Sequence, residues 1–347
     1  MKKLLDNPDD VVRDMISGLC VAHPSQLTLV GHSGRALVRS HLDTKKVGIV
    51  IGGGSGHEPA FLGYVGPGLA DGVALGNIFA SPSPDPIIEA GRAVNTGQGV
   101  VLIYGNYAGD CMNFEMAADV LEDEGIPVKR VTVCDDVASA ADSAQRRGIA
   151  GEILIYKIAG AVAAEGADLD DVARTTQEAA DNTFSIGSAW MPCTLPQTGL
   201  PSFEIGENDM EIGLGVHGEP GIERRQMVSA SELADMMLKQ LIAAASLPLG
   251  SIGVLINGLG STSLMELYVF YGKLHQALAS YGAREEKVLV GNFITSQEMA
   301  GCSVTLMRLN EQRVRALMAP CQALGWTQFA ASLTTKSGEN PIRRKGK

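Results

Sequence analysis

No two cysteines in this sequence stand at C-x-x-C spacing. Cys20, Cys111, Cys134, Cys193, Cys302 and Cys321 are scattered, which argues against a zinc site or a disulfide framework and predicts buried thiols. Nor does any apolar run approach the roughly 20 residues that span a bilayer. The start, Met1-Lys2-Lys3-Leu4-Leu5-Asp6-Asn7, puts an acid where a secretory signal needs apolar residues, so a cytoplasmic address and no membrane partner are expected. Positive charge is scarce as well. A net charge of -11 and a sequence pI near 5.1 would repel a polyanion and remove the counterion-release drive for binding one, so no nucleic-acid partner is expected. The basic end, Arg343-Arg344-Lys345-Gly346-Lys347, reads as part of a solvated, disordered tail over 336–347.

What remains is ordinary globular material. The 347 residues, 45% hydrophobic and 19% charged, suffice for about two domains with sizeable cores. A helix is predicted over 8–22, and Val47-Gly48-Ile49-Val50-Ile51 reads as a buried strand stopped by Gly52-Gly53-Gly54. Similar runs at 100–104 and 128–133, with a helical pattern over 113–124, make strand and helix alternate and predict a parallel sheet. Between Asp181 and Pro201 the pattern turns irregular, and a domain boundary is placed there, giving units 1–185 and 186–335. The second unit carries strand patterns at 210–216, 252–256, 288–293 and 303–308 and helical ones at 233–245 and 263–280. The fold expected is two α/β domains, each with a largely parallel or mixed sheet flanked by helices, without a fixed-period repeat.

Functional groups in open α/β sheets gather beyond the carboxyl ends of strands. Two such ends here are Gly52-Gly53-Gly54-Ser55-Gly56-His57-Glu58-Pro59 and Gly105-Asn106-Tyr107-Ala108-Gly109-Asp110. The first is no dinucleotide fingerprint, because His57 stands where the third glycine belongs, and no G-x-x-x-x-G-K-[ST] occurs in the chain. The loop can still offer backbone contacts to a small polar ligand, with the His57 imidazole beside it for proton transfer. The structural alternative is a tight turn into a helix starting at Pro59, with His57 exposed. Asp110 equally suits a helix N-cap, and Asp135-Asp136 reads as structural. His217 differs: glycines at 215 and 218 open access to its ring, and an accessible neutral imidazole can act as a nucleophile. His23, His32, His41 and His275 have no such setting.

Four motifs, Gly52 to Pro59, Asn106 to Asp110 with Asn113-Phe114, Arg146-Arg147-Gly148, and Gly213-Leu214-Gly215-Val216-His217-Gly218-Glu219-Pro220-Gly221, together resemble the substrate-binding subunit of dihydroxyacetone kinases over nearly the whole chain. The resemblance implies a homodimer that holds a small ketose as a hemiaminal on the histidine matched by His217. It further implies that His57 and Asp110 bind and activate the terminal hydroxyl, with Gly54, Ser55 and Gly56 supplying loop contacts. Nothing in the chain cradles phosphate, so no cofactor is expected on it directly. ATP-Mg or ADP-Mg is expected on a separate all-helical nucleotide-binding subunit, without which the chain should be inactive.

Two positions depart from the pattern. Gly105 stands where the family commonly has a substrate-binding lysine, and Phe61 where a histidine is frequent. Losing the lysine removes a charge and is expected to free volume, so a longer ketose such as erythrulose should be accepted at least as well as dihydroxyacetone. Two other classes compete. A non-catalytic coactivator or sensor would need the covalent histidine but not His57 and Asp110. A nucleotide-dependent oxidoreductase would need the dinucleotide fingerprint that fails here.

Overall fold

The branched run that stops at the glycines becomes β3 (Gly48–Ser55), buried along its length, in the computed structural model, which describes residues 2–245 and 248–330. β3 lies between β4 (Gly72–Ile78) and β5 (Val100–Gly105) and pairs in parallel with both; β5 continues in parallel to β6 (Val128–Val133). On the other side, β1 (Leu27–Val30) and β2 (Ala36–Arg39) close the edge antiparallel, so this six-stranded sheet is mixed. Alternation within the strands covers both faces. Val50, Val100 and Leu102 pack with Ile87 and Leu121 of α2 (Pro84–Val94) and α3 (Ala108–Asp123), whereas Ile49, Ile51, Val101 and Ile103 pack with α4 (Glu152–Ala164) on the opposite face. The preceding helix is α1 (Val11–Ala22), and α5 (Leu169–Ala180) packs on α4.

The stretch expected to be irregular holds a nine-residue strand, β7 (Thr183–Met191). Pairing with β12 (Ala300–Arg308) outweighs the local signal of Gly187. The 185/186 position thus falls inside a strand of the second sheet. That sheet runs β11 (Arg284–Gly291), β10 (Ser251–Gly258), β12, β7, β8 (Asp209–Ile212), β9 (Glu223–Gln226), antiparallel except between β10 and β11. The strand expected over 210–216 stops at Ile212, because Gly213 turns the chain at φ +79° into the loop that carries His217. Helices α6 (Ala230–Ala245) and α7 (Leu264–Ala279) cover one face. Helix α8 (Glu311–Met318) and the small β13–β14 pair (Cys321–Gln322, Thr327–Gln328) follow. The tail expected over 336–347 lies outside the described residues.

Nearly every residue of α4 is buried, because it is shared: Leu255, Ile294 and Met307 of the second half join the same core as Ile49 and Ile51 of the first. One helix thereby ties both sheets together and brings their loop ends to a common site. Of the cysteines, Cys193, Cys302 and Cys321 are buried as expected, but Cys20, Cys111 and Cys134 are part-exposed; Cys20 lies on α1, Cys111 in the first turn of α3, and Cys134 just beyond β6.

Beneath the first sheet, Asp71 holds a buried cluster. Its carboxylate accepts the Ile49 N–H at 2.9 Å, faces Arg39 Nε at 2.8 Å and pairs with Lys46. Asp71→Ala would strand the buried Lys46 and an amide and leave Arg39 only the exposed Asp43 as a partner, so denaturant unfolding is expected to show a loss of about 3 kcal/mol.

Candidate active site

The carboxyl ends of β3 and β5 are adjacent in the first sheet, so the two glycine-rich loops meet, and the His217 loop closes over them. One cavity of about 30 Å³ is lined by Gly52, Gly53, Gly54, His57, Phe61, Gly105, Tyr107, Asp110, Gly148, Glu152, Val216 and His217 among others. It has room for about one water. Of the residues expected at the site, Gly54, His57, Gly105, Asp110 and His217 line it; Ser55 and Gly56 stand behind. The Ser55 hydroxyl donates to the Gly76 carbonyl at 2.8 Å. A larger surface cleft of about 470 Å³ near Cys134 and Phe184 contains neither histidine.

His57 is 3% exposed, and no α-helix begins at Pro59; a turn leads instead to one 3₁₀ turn at Leu62–Tyr64. The Gly56 N–H, at φ +96°, donates to both Glu58 carboxyl oxygens at 3.1 Å. The anion position of the glycine turn is therefore filled by the chain's own side chain, a poor arrangement for a phosphate. His57 Nδ1 lies 2.7 Å from the Thr295 carbonyl oxygen. A carbonyl only accepts, so Nδ1 carries the proton and Nε2 is bare. Burial, and then the neighbouring His217, lower His57 to about 3, and its ring stacks on Phe79 with centroids 4.8 Å apart.

His217 comes from the second half and meets His57 with Nε2 to Nε2 at 3.1 Å. Its Nδ1 lies 2.9 Å from Glu219 Oε1. Burial would raise Glu219, but the hydrogen-bonded His217 ring and the Arg147 guanidinium prevail and hold it at about 2. An ionised carboxylate only accepts, so His217 Nδ1 also carries a proton. With both Nδ1 protons so placed, the two Nε2 atoms face each other at 3.1 Å on the cavity wall. The loop is fixed by Arg147, which donates to Asp136 Oδ2 at 2.8 Å, to the Gly213 carbonyl at 3.3 Å, and lies 3.7 Å from Glu219. Asp136 is thus structural, as is Asp135, which accepts the Ile149 and Gly151 N–H groups at 2.7 and 2.8 Å.

Asp110 is not the helix cap. Tyr107 holds that place, and Asp110 sits in the first turn of α3, 8% exposed. Burial raises it to about 6, against the opposing pull of the Ser81 hydroxyl and His217. Its Oδ1 is buried without a partner, and so is the Tyr107 hydroxyl, while the Tyr107 ring sets its edge against His217 at 5.0 Å.

The volume beside Gly105 is not free, contrary to expectation. A Cβ there would lie 2.6 Å from Glu152 Oε1 and 3.3 Å from the Tyr107 ring. Glu152, at the start of α4, fills the room that a side chain at 105 would need. Sequence reasoning passed over Glu152, Tyr107, Phe79, Thr295, Arg147 and Glu219 as site residues. The Arg146-Arg147-Gly148 and His217-Gly218-Glu219 runs carried a signal for two of them. Among the described residues no group of three or more His, Cys, Asp or Glu is placed to hold a metal ion, and no helix is long and apolar enough to cross a membrane.

Residues 17–325 match the Dak1 domain. The dihydroxyacetone-binding subunit DhaK of a PTS-dependent dihydroxyacetone kinase from Listeria innocua is 42% identical over 323 residues, 92% of this chain and 98% of that protein. An L-erythrulose 1-kinase from Mycolicibacterium smegmatis is 42% identical over 339 residues, 95% of this chain but 59% of that longer protein. Among solved structures, the dihydroxyacetone kinase of C. freundii superposes with a TM-score of 0.87 at 34% identity, over 99% of this chain and 64% of that one. The dihydroxyacetone kinase operon co-activator DhaQ does so with 0.86 at 33%, over 91% and 98%.

Proposed function

The chain belongs to the Dak1 domain family, and from that premise we propose that it is the substrate-binding component of a ketose kinase. It holds dihydroxyacetone or a related short ketose as a hemiaminal on His217 while a separate nucleotide-binding subunit donates a phosphoryl group to the terminal hydroxyl. The observation that carries the reading is the His57–His217 contact on the wall of a cavity that also contains Asp110.

In this reading the two rings share one proton between their Nε2 atoms, 3.1 Å apart, and it is the one the addition requires. It passes from His217 Nε2 to His57 Nε2, the freed lone pair attacks the ketose carbonyl carbon, and the carbonyl π pair moves to oxygen. That oxygen takes the proton from His57, leaving a neutral hydroxyl. The positive charge stays on the substituted His217 ring, opposite ionised Glu219. No proton is gained or lost overall, and a polyol such as glycerol, lacking a carbonyl, cannot enter the cycle.

In the next step Asp110 takes the proton of the terminal hydroxyl as its oxygen attacks the terminal phosphorus of a nucleoside triphosphate held by the partner, and the nucleoside diphosphate leaves. The Glu58-filled glycine turn and the missing phosphate fingerprints support a donor held elsewhere, on an all-helical subunit that carries ATP-Mg, or ADP-Mg recharged to the triphosphate by a phosphotransferase relay. The homodimer belongs to the same reading and rests on the family likeness; the cytoplasmic setting is proposed with it from the start of the sequence and the shortness of its apolar runs. A coactivator shares the fold, but it would have no use for a buried Asp110 with an unpaired oxygen, and this favours catalysis.

Intact-protein mass spectrometry tests the proposal. The chain mixed with dihydroxyacetone is expected to gain the mass of one ketose without loss of water, and with glycerol to gain nothing. A glycerol adduct of equal occupancy, or no ketose adduct at any concentration, would refute it.

A further inference from the structure

The cavity has a polar wall that neither the covalent step nor the phosphorylated arm uses. Glu152 is 3% exposed and lines the cavity. The Tyr156 hydroxyl donates to its Oε2, which leaves Oε1 directed at Gly105 and Gly148. A Cβ on either glycine would lie within 2.6 to 2.8 Å of that oxygen, so both positions must stay small for the carboxyl to reach the cavity. Burial lifts Glu152 to about 8, against the Tyr156 hydrogen bond, and at neutral pH it is a carboxylic acid with an O–H to donate. Beside it stands Tyr107, whose buried hydroxyl has no partner although it can both donate and accept. A buried hydroxyl without a partner, on a residue that lines the cavity beside a carboxyl, marks a place for a ligand's polar group.

We propose that Glu152 and Tyr107 bind the hydroxyl-bearing carbon at the unphosphorylated end of the substrate, and that they select a ketose with a hydroxylated fourth carbon over the triose. The inference rests on the ketose reading above. With His57 and Asp110 engaged on the arm that receives phosphate, the Glu152–Tyr107 wall is the polar surface left for the other arm. The wall is neutral and contains a donor, so it suits an alcohol and not a carboxylate or a phosphate.

The test compares binding of dihydroxyacetone and erythrulose, each enantiomer separately, to the full chain by titration calorimetry, with thermal melting as a check on folding. Wild type is expected to favour one erythrulose enantiomer. Glu152→Ala should lower the tetrose-to-triose affinity ratio by about tenfold or more, and Glu152→Gln, which keeps a neutral donor of the same shape, should restore it to within about threefold. Should the alanine variant not fold, Tyr107→Phe carries the test with the same expected fall in ratio. A ratio unchanged in a folded Glu152→Ala or Tyr107→Phe protein, or equal weakening of both ketoses, overturns the inference while leaving the ketose reading intact. Failure of wild type to bind either ketose would instead remove that reading itself.

Discussion

Replacing His217 with alanine is expected to abolish the ketose adduct and to lower phosphoryl transfer, measured with a nucleotide-binding partner subunit, by at least about 10³-fold. The size follows from what the covalent bond does. A ketose tethered at its carbonyl carbon has lost its translational and rotational freedom before the phosphoryl donor arrives, and effective molarities for well-placed groups reach about 10⁵ M or more. Without the tether the substrate is held only by hydrogen bonds in a cavity of about 30 Å³, each worth about 1 kcal/mol net.

The variant should remain folded. The His217 loop is anchored independently by the Gly215–Glu219 backbone hydrogen bond at 3.0 Å, by Ser296 donating to the Val216 carbonyl, and by Arg147 on Asp136 and Gly213. A change of less than about 1 kcal/mol in unfolding free energy is expected. The adduct and the stability are therefore separable readouts. A His217→Ala protein that still gained the mass of one ketose would place the nucleophile elsewhere and overturn the assignment, whatever its activity.

What the sequence made legible were features with local causes. The branched run at 47–51 and the glycines after it announce a buried strand and a turn, and the carboxyl-end rule then puts His57 and Asp110 in neighbouring loops. His217 stood out because glycines flank it. The pairing of the second sheet was not legible, since β7 gains its place from β12, more than a hundred residues away, and Gly187 and Pro192 argue locally for a loop. The partner of His57 Nδ1 is a backbone carbonyl, at Thr295, and main-chain groups leave no residue-type signal. Glu152 was hidden differently: an acid in the first turn of a helix already has a reason to be there, in the helix dipole. Only the three-dimensional approach of Gly105 and Gly148 shows its carboxyl turned into the cavity. The same approach explains why Gly105 opens no space: the Glu152 carboxyl already stands there.

The second large effect concerns Asp110. Asp110→Asn should leave the ketose adduct on His217 intact yet reduce turnover with the partner by about 10²- to 10⁴-fold, the usual contribution of a positioned general base. In the wild type the acid limb of the turnover profile should fall near pH 6, because Asp110 accepts the hydroxyl proton only when ionised and burial has raised it to about 6. His57, lowered to about 3, contributes no limb in that range. Stability should move the opposite way to activity. A carboxyl whose folded value lies above its unfolded value of 3.8 makes no difference to stability below that pH; between about pH 4 and 6 it destabilises the folded state increasingly, and above about 6 the full cost is present. Asparagine removes that cost, so at pH 7 the variant should be more stable by an amount on the order of 2 kcal/mol, and at pH 3 no more stable than wild type. An unchanged turnover profile in Asp110→Asn would reassign the base. Lower stability at pH 7 would show that the carboxylate has partners in solution beyond those described here, and would turn Asp110 from a strained catalytic group into a structural one.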